Sequence, residues 1–203
     1  MPCSSSSREY HLFKRLGCLM KRRFHPFHNL FFVFFICYMI WVVLLFLGPF
    51  ILPPGSVTNL SGVVGFSDNE AVINDLPFPW NGIYSIGDRL CHQKPERSLF
   101  INGNEMPFCA RCVAIWLGLA FGLGYMVFFT IELNERFFYA IIVSLIPLGI
   151  DGVGQLFGFW ESTNIIRILT GIPAGIICGV AIGVIVDEIR SMHIFNKNKA
   201  KET

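Results

Sequence analysis

Charged residues are scarce in this sequence: 15% of its 203 residues are Asp, Glu, Lys or Arg, against about 25% in ordinary soluble domains. With 53% hydrophobic residues and 21 Phe, this shortage excludes a disordered chain and argues against a water-soluble globule. An excess of basic residues is also missing, because 16 Lys and Arg face 14 Asp and Glu. The formal net charge of +2 therefore argues against a nucleic-acid partner, which would require a dominant basic surface.

Two further features are missing. The seven Cys are too few and too scattered for a disulfide-rich scaffold. The first apolar run is not followed by a small-residue cleavage site, so we interpret it as an uncleaved signal anchor rather than a signal peptide. What remains is the composition and length of a one-domain membrane protein.

Four apolar runs are long enough to cross a bilayer, which takes about 20 helical residues. They cover residues 29–52, 113–131, 137–160 and 165–186. We therefore predict an all-α fold, a four-transmembrane-helix bundle with one long external loop. The predicted segments are a basic amphipathic segment at 1–28, the first span at 29–52, the loop at 53–112, a three-helix core at 113–186 and a tail at 187–203.

The distribution of Lys and Arg predicts how the bundle is oriented. Six lie before the first span and four in the tail, whereas the loop at 53–112 has four basic and six acidic residues. Because basic flanks stay in the cytoplasm, we expect a multi-pass protein of the cell membrane with both termini cytoplasmic. The bilayer is then its main partner, and Trp80 and Tyr84 are expected as anchors at the membrane interface.

Glycines recur every fourth residue in two of the predicted spans. This spacing places them on one helix face, where small residues let two backbones approach closely. We expect these faces to pack helices together, either within the chain or by self-association of two copies. The residues are Gly118 and Gly122 in the second span and Gly171, Gly175, Gly179 and Gly183 in the fourth.

A first polar group in the predicted loop consists of Cys91, His92, Cys109 and Cys112. A C-x-x-C supplies two ligands from one turn, and thiolates with imidazole are the ligands that zinc selects. We predict a structural zinc site that holds the loop on the helices. A disulfide or redox pair remains open, because four spans with an external C-x-x-C resemble membrane thiol oxidoreductases that reduce a quinone. Unreactive thiols are the third alternative.

A second polar group lies within the predicted spans. Asp151 and Gln155 are four residues apart and share a helix face, and Arg167 lies near the start of the fourth span. Because the third and fourth spans are antiparallel neighbours, we expect Asp151 to pair with Arg167 across their interface. Ionisable groups at such depth are costly and indicate a functional site, so these three are candidate catalytic residues. A purely structural ion pair is the alternative.

Further polar residues belong to the same predicted pocket. Asn164, Arg167 and Thr170 share one face of the fourth helix by their spacing. With Arg97 and Arg111 from the loop, Asn164 and Thr170 are candidate residues for binding a small polar or lipid-head ligand. Since both polar groups fall on the predicted outer half of the membrane, we expect one site rather than two.

Four short motifs occur in order along the chain: CHQKPERS at 91–98, CARC at 109–112, DGVGQ at 151–155 and NIIRILTG at 164–171. In this order they resemble an uncharacterised family of predicted integral-membrane proteins of archaea and bacteria, domain-of-unknown-function family 2085. The resemblance covers about residues 80–186. It implies a prokaryotic protein in which the two polar groups belong together, and it implies no particular reaction.

Three classes of function stay open. An enzyme acting on a lipid or a quinone would need Asp151 to exchange protons. A carrier or channel would need a continuous polar path, and the inner halves of the spans have almost no polar residues. A non-catalytic binding or assembly protein would need only the packing glycines and the loop. We favour an outward-facing site that binds or processes a small polar or lipid-head ligand.

Overall fold

The computed structural model describes residues 21–22, 28–131 and 133–199. Most of the predicted basic segment at 1–28 lies outside the described residues. The described helices are α1 (His28–Ile51), α2 (Glu70–Asn74), α3 (Trp80–Leu90), α4 (Ala110–Phe128), α5 (Glu135–Leu156) and α6 (Asn164–Lys199). The described strands are β1 (Lys21–Arg22), β2 (Ser98–Ile101), β3 (Asn104–Cys109) and β4 (Phe129–Thr130).

Four of these helices are long and apolar enough to cross a membrane, as the sequence predicts. The candidate spans are Phe32–Ile51, Ala110–Phe128, Glu135–Leu156 and Asn164–Ile189. Their boundaries differ from the expected ones at functionally relevant ends. The second span begins at Ala110 rather than at 113, and the third ends at Leu156 rather than at 160. Cys112 therefore lies inside a helix rather than in a loop.

The prediction of an all-α fold is confirmed only in part, because the mostly helical chain also contains strands between the first two spans. Strands β2 and β3 form an antiparallel hairpin with Ser98 opposite Cys109, and β1 pairs with β4. The turn of the hairpin is Asn102-Gly103, where both residues have positive φ. An Asn-Gly pair favours such a tight turn, so the sequence did contain this signal. Residues 52–109, here called the connecting segment, are folded rather than looped.

The connecting segment shares one hydrophobic core with the helices that flank it. Tyr84, Met106 and Phe108 are at most 2% exposed and pack with Leu45 of α1. Trp80 and Tyr84, which were expected at the membrane interface, are buried in this core. Both rings pack beside Gly48 in the last turn of α1.

Asn104 fastens the connecting segment to the end of α1. Its Nδ2 donates to the carbonyl oxygens of Pro49 and Pro53, each at 3.0 Å. Its Oδ1 accepts from the Val57 backbone N–H at 3.0 Å. The last carbonyls of a helix lack intrahelical partners, so a fully buried amide that satisfies them fixes where the chain turns.

Helices α4 and α6 make the most extensive contact between elements, and glycine allows it. A Cβ added at Gly118 would collide with the Ile172 carbonyl, and one at Gly175 with the Ile115 carbonyl. The predicted glycine faces therefore pack against each other within one chain. Because each face covers the other, these glycines are not available for the self-association that the sequence left open.

Candidate functional site

Three cysteines from two parts of the chain converge where the connecting segment meets α4. Cys91 ends α3, Cys109 ends β3, and Cys112 lies in the first turn of α4. Their Sγ atoms all lie within 4.8 Å of one another, with 3.6 Å between those of Cys91 and Cys112. All three are free thiols in the structure. The hairpin brings them together, because it returns the chain from Ser98 to Cys109.

Hydrogen bonding within this group favours the thiolate form of Cys109. Hydrogen bonds from the Cys112 thiol, and then from the Cys91 thiol, lower the pKa of Cys109, and the backbone N–H groups of Cys112 and Arg111 add to the effect. The hydrogen bond with Cys109 and the burial of the group together raise the pKa of Cys91. A thiolate at the first turn of α4 is also favoured by the helix dipole.

His92 is the predicted ligand that the structure places apart from the sulfurs. Its side chain is exposed, and it lines a cavity beside the cysteines without belonging to the group whose ligand atoms lie within 4.8 Å. The adjacency of Cys91 and His92 explains this. Consecutive residues in an extended backbone point in opposite directions, and Cys91 has an extended conformation.

Asp151 pairs with Arg111, not with Arg167 as the sequence suggested. Arg111 Nη2 forms an ion pair with Asp151 Oδ2 and donates to Gln155 Oε1 at 3.3 Å. The early start of α4 is the reason, because Arg111 then lies on a helical turn that faces α5. Asp151 is 4% exposed and accepts a further hydrogen bond from Ser162 Oγ at 3.0 Å.

Arg167 is instead turned toward the connecting segment. Its Nη1 donates to Asn164 Oδ1 at 2.9 Å and to the Glu96 carbonyl at 3.3 Å. Asn164 Nδ2 in turn donates to the Ser98 carbonyl at 3.1 Å. These bonds tie the start of α6 to the base of the hairpin. Arg167 is 3% exposed, so the guanidinium has left bulk water.

A cavity of about 420 Å³ joins the two polar groups. This volume is within the range of small-molecule sites. The cavity is lined by Val64, Leu90, Cys91, His92, Arg97, Cys109, Arg111, Cys112, Gly152, Gln155, Leu156 and Arg167. Of the predicted residues, Asp151, Asn164 and Thr170 are not in its wall. Asp151 contacts the wall through Arg111, and Thr170 Oγ1 donates within its own helix to the Ile166 carbonyl at 2.9 Å.

The sequence did not lead us to predict that the indole of Trp160 packs over Asp151. The indole of Trp160 packs so closely on Gly154 that an added Cβ would collide with it. Its Nε1 donates to Asp151 Oδ1 at 3.5 Å. We had expected Trp160 to end a longer third span, whereas it follows a turn after Leu156. A glycine six residues before a Trp was the available signal, and it is a weak one.

Comparisons with known proteins identify a family and two relatives of this chain. A family described as predicted membrane protein, DUF2085, matches residues 91–181. An uncharacterized protein of Methanocaldococcus jannaschii is 31% identical over 144 residues, which cover 69% of this chain and 81% of the relative. An uncharacterized protein of Methanothermobacter thermautotrophicus is 38% identical over 87 residues, which cover 43% of this chain and 78% of the relative. No solved structure matches the chain.

Proposed function

The chain belongs to the DUF2085 family of predicted membrane proteins, and we propose that it carries a metal-supported ligand site at one end of its helix bundle. Cys91, Cys109 and Cys112 bind zinc, and the adjoining cavity binds or processes a small polar ligand or a lipid headgroup. The observation that carries the proposal is the convergence of three sulfurs, within 4.8 Å of one another, on a wall that also contains arginines and a glutamine.

Zinc suits this group because three thiolates supply most of a tetrahedral coordination shell. Because Cys91 comes from α3 and Cys112 from α4, the ion would clamp the connecting segment onto the bundle. His92, on the same cavity wall, is our proposed fourth ligand, and its side chain would have to turn toward the sulfurs to reach the ion. The metal's role is then structural, and the ligand chemistry belongs to the rest of the cavity.

The polar residues of the spans have distinct roles in this proposal. Gln155, Arg111 and Arg167 line the cavity and contact the ligand. Asp151 lies behind this wall and holds Arg111 in place through their ion pair, so it acts as a positioning residue. We further propose that the cavity opens on the outer side of the membrane, because the basic residues before α1 and beyond the fourth candidate span, which ends at Ile189, favour a cytoplasmic location for both termini.

Metal analysis of the purified full-length chain tests the zinc site. We expect about one zinc ion per chain, as a three-cysteine site implies. The Cys109→Ser variant should lose it. Cys178→Ser is the matched control, because Cys178 is a free cysteine within α6 and outside the three-sulfur group.

Thiol alkylation provides the second measurement. With zinc bound, Cys91, Cys109 and Cys112 should react slowly, and a chelator should release all three. A wild-type chain without stoichiometric zinc, or a Cys109→Ser variant that keeps it, would contradict the metal site.

One observation favours a second candidate, a thiol-disulfide oxidoreductase that uses a quinone. The Cys91 sulfur lies 3.6 Å from that of Cys112, so a third thiol is within reach of the C-x-x-C pair for disulfide exchange. Two thiols would form one disulfide, and their two electrons and two protons would convert a quinone to a quinol. Non-reducing mass spectrometry that finds a disulfide among these cysteines, together with no zinc, would favour this candidate.

A further inference from the structure

The wall of the cavity has an excess of positive charge. Arg97, Arg111 and Arg167 line it, and its described lining contains no Asp or Glu. Asp151 offsets one of these charges through its ion pair with Arg111. A zinc ion with three thiolates would add one negative charge, so the site as a whole would keep a charge of about +1.

The three guanidiniums are close enough to influence one another. Arg97, Arg111 and Arg167 carry like charges on the wall of one cavity. Arg167 is almost fully buried, and like charges held together out of water are costly. The Arg97 guanidinium has no ion pair or hydrogen bond with any described residue. An anion in the cavity would relieve this repulsion and give Arg97 a partner.

Two buried donors on the same wall also lack acceptors. Arg111 Nε and Gln155 Nε2 are both inaccessible to solvent and have no hydrogen-bond partner among the described residues. A buried donor without an acceptor destabilises the folded state. Both residues line the cavity, so these unpaired donors lie close to the space that a ligand would occupy.

Part of the cavity wall is apolar and exposed. Val64, Leu90 and Leu156 line it, and Leu156 is 81% exposed at the end of a candidate span. Phe157 and Phe159 continue this exposed apolar surface. Such a surface beside a cationic cavity suits an amphiphile whose headgroup enters the cavity and whose chains lie along the rim.

From these observations we propose that the cavity binds a phosphate-bearing ligand, held by Arg97, Arg111 and Arg167. The inference rests on the proposed function of the cavity as a ligand site, and it specifies the ligand's charge and class. Guanidinium groups match phosphate because their planar donors can form two parallel charge-assisted hydrogen bonds. The same chemistry occurs in a lipid headgroup and in a free phosphate ester, and the experiment must separate them.

Binding to the purified full-length chain, in a nonionic detergent and with its zinc content measured, tests this proposal. Phosphatidic acid carries the phosphate and two chains, glycerol 3-phosphate carries the phosphate alone, and diacylglycerol carries the chains alone. Native mass spectrometry gives the affinity, and melting temperature gives the stabilisation. We expect phosphatidic acid to bind and to raise the melting temperature of the wild type.

The variant Arg97→Gln separates recognition from folding. Since Arg97 has no described partner to lose, the ligand-free variant should melt as the wild type does. Its affinity for phosphatidic acid should fall about tenfold or more, as expected for hydrogen bonds to a charged group. Arg89→Gln is the matched control, because Arg89 is exposed on α3 and bonds Ser67 Oγ at 3.1 Å outside the cavity wall. If Arg97→Gln does not fold, Arg97→Lys replaces it, since Lys keeps the charge but not the fork of donors.

Each outcome has a defined meaning. Binding of phosphatidic acid alone supports a lipid source, and binding of glycerol 3-phosphate, alone or as well, supports a free phosphate ester. Equal binding of diacylglycerol, no binding of either phosphate, or unchanged affinity in Arg97→Gln would overturn the phosphate inference. Equal diacylglycerol binding would leave a ligand cavity intact, and a chain without zinc would count against the proposed metal site alone.

Discussion

The connecting segment and the α4–α6 pair differ in which groups they bury at their packed interfaces. The connecting segment surrounds several buried polar side chains, and its backbone and side-chain groups satisfy most of them, as Asn104 shows with its bonds to Pro49, Pro53 and Val57. Helices α4 and α6 have glycines at their closest approach and bring carbonyl oxygens against the partner's backbone. The first relies on satisfied buried hydrogen bonds, and the second on the close helix approach that is typical of membrane bundles.

The difference shows why the cavity lies where it does. Lipid-facing helices offer few polar partners to a buried charge, whereas the connecting segment buries Asp88 and Glu105 with hydrogen-bond partners of its own. At their junction, Arg111 of α4 meets Asp151 of α5, and Arg167 of α6 meets the Glu96 carbonyl of the connecting segment. Arg167 is held there because the connecting segment supplies a carbonyl acceptor, whereas Arg111 and Asp151 neutralise each other within the bundle.

The largest expected effect comes from breaking the junction. Asp151→Ala leaves Arg111 as an uncompensated, largely buried charge, which we expect to cost about 3 kcal/mol or more of unfolding free energy. Asp75→Ala, an exposed change in the connecting segment, should have little effect. Reversible unfolding in mixed micelles measures both. If Arg111→Met combined with Asp151→Leu restores most of the loss, the unpaired charge is the cause. An Asp151→Ala variant as stable as the wild type would contradict the ion pair.

A smaller effect is expected within the spans. Gly175→Ala pushes a methyl group against the Ile115 carbonyl and should cost about 1–3 kcal/mol by overpacking. Gly149→Ala in α5 is the control, because a Cβ there has no neighbour within 4 Å. That variant should be neutral or slightly stabilising, since alanine favours helix. The same unfolding assay decides, and equal stability of the two variants would rule out the glycine contact.

The smallest effect, confined to pH dependence, is expected in the connecting segment. Burial raises the pKa of Glu105 above its usual value of 4.5, and its Oε2 has no described partner. Between pH 4.5 and the raised pKa, the folded state keeps a proton on Glu105 that the unfolded state has released. The contribution of Glu105 to stability is therefore fully present below pH 4.5 and is lost as the pH rises through the raised pKa.

Glu105→Gln should remove this slope, because glutamine carries no titrating proton. Glu70→Gln on α2, where the side chain is exposed, should keep it. Melting temperatures measured from pH 4 upward test the prediction. A wild type whose stability rises with pH over that range would mean that the Glu105 carboxylate is stabilised rather than penalised by its surroundings.

Several parts of the molecule could be predicted because their signals are local. Apolar runs identified all four long helices, and the four-residue glycine spacing identified the faces that α4 and α6 share. The C-x-x-C and Cys91 were recognisable by residue type, and the structure brings these three sulfurs together. The partner of Asp151 was not predictable in this way. The identity of this partner depends on where α4 begins. The residue spacing in the third and fourth spans does not reveal that position.

Hydropathy and residue spacing thus define a four-helix membrane protein with cysteines and charges near one end, because burial in lipid and the helical repeat act on neighbouring residues. Only the tertiary structure decides that Arg111 neutralises Asp151, that Trp80 is buried, and that His92 lies apart from the sulfurs. Each of these depends on contacts between residues far apart in the chain. Such contacts follow from how the connecting segment folds against the bundle, and no local pattern encodes that arrangement.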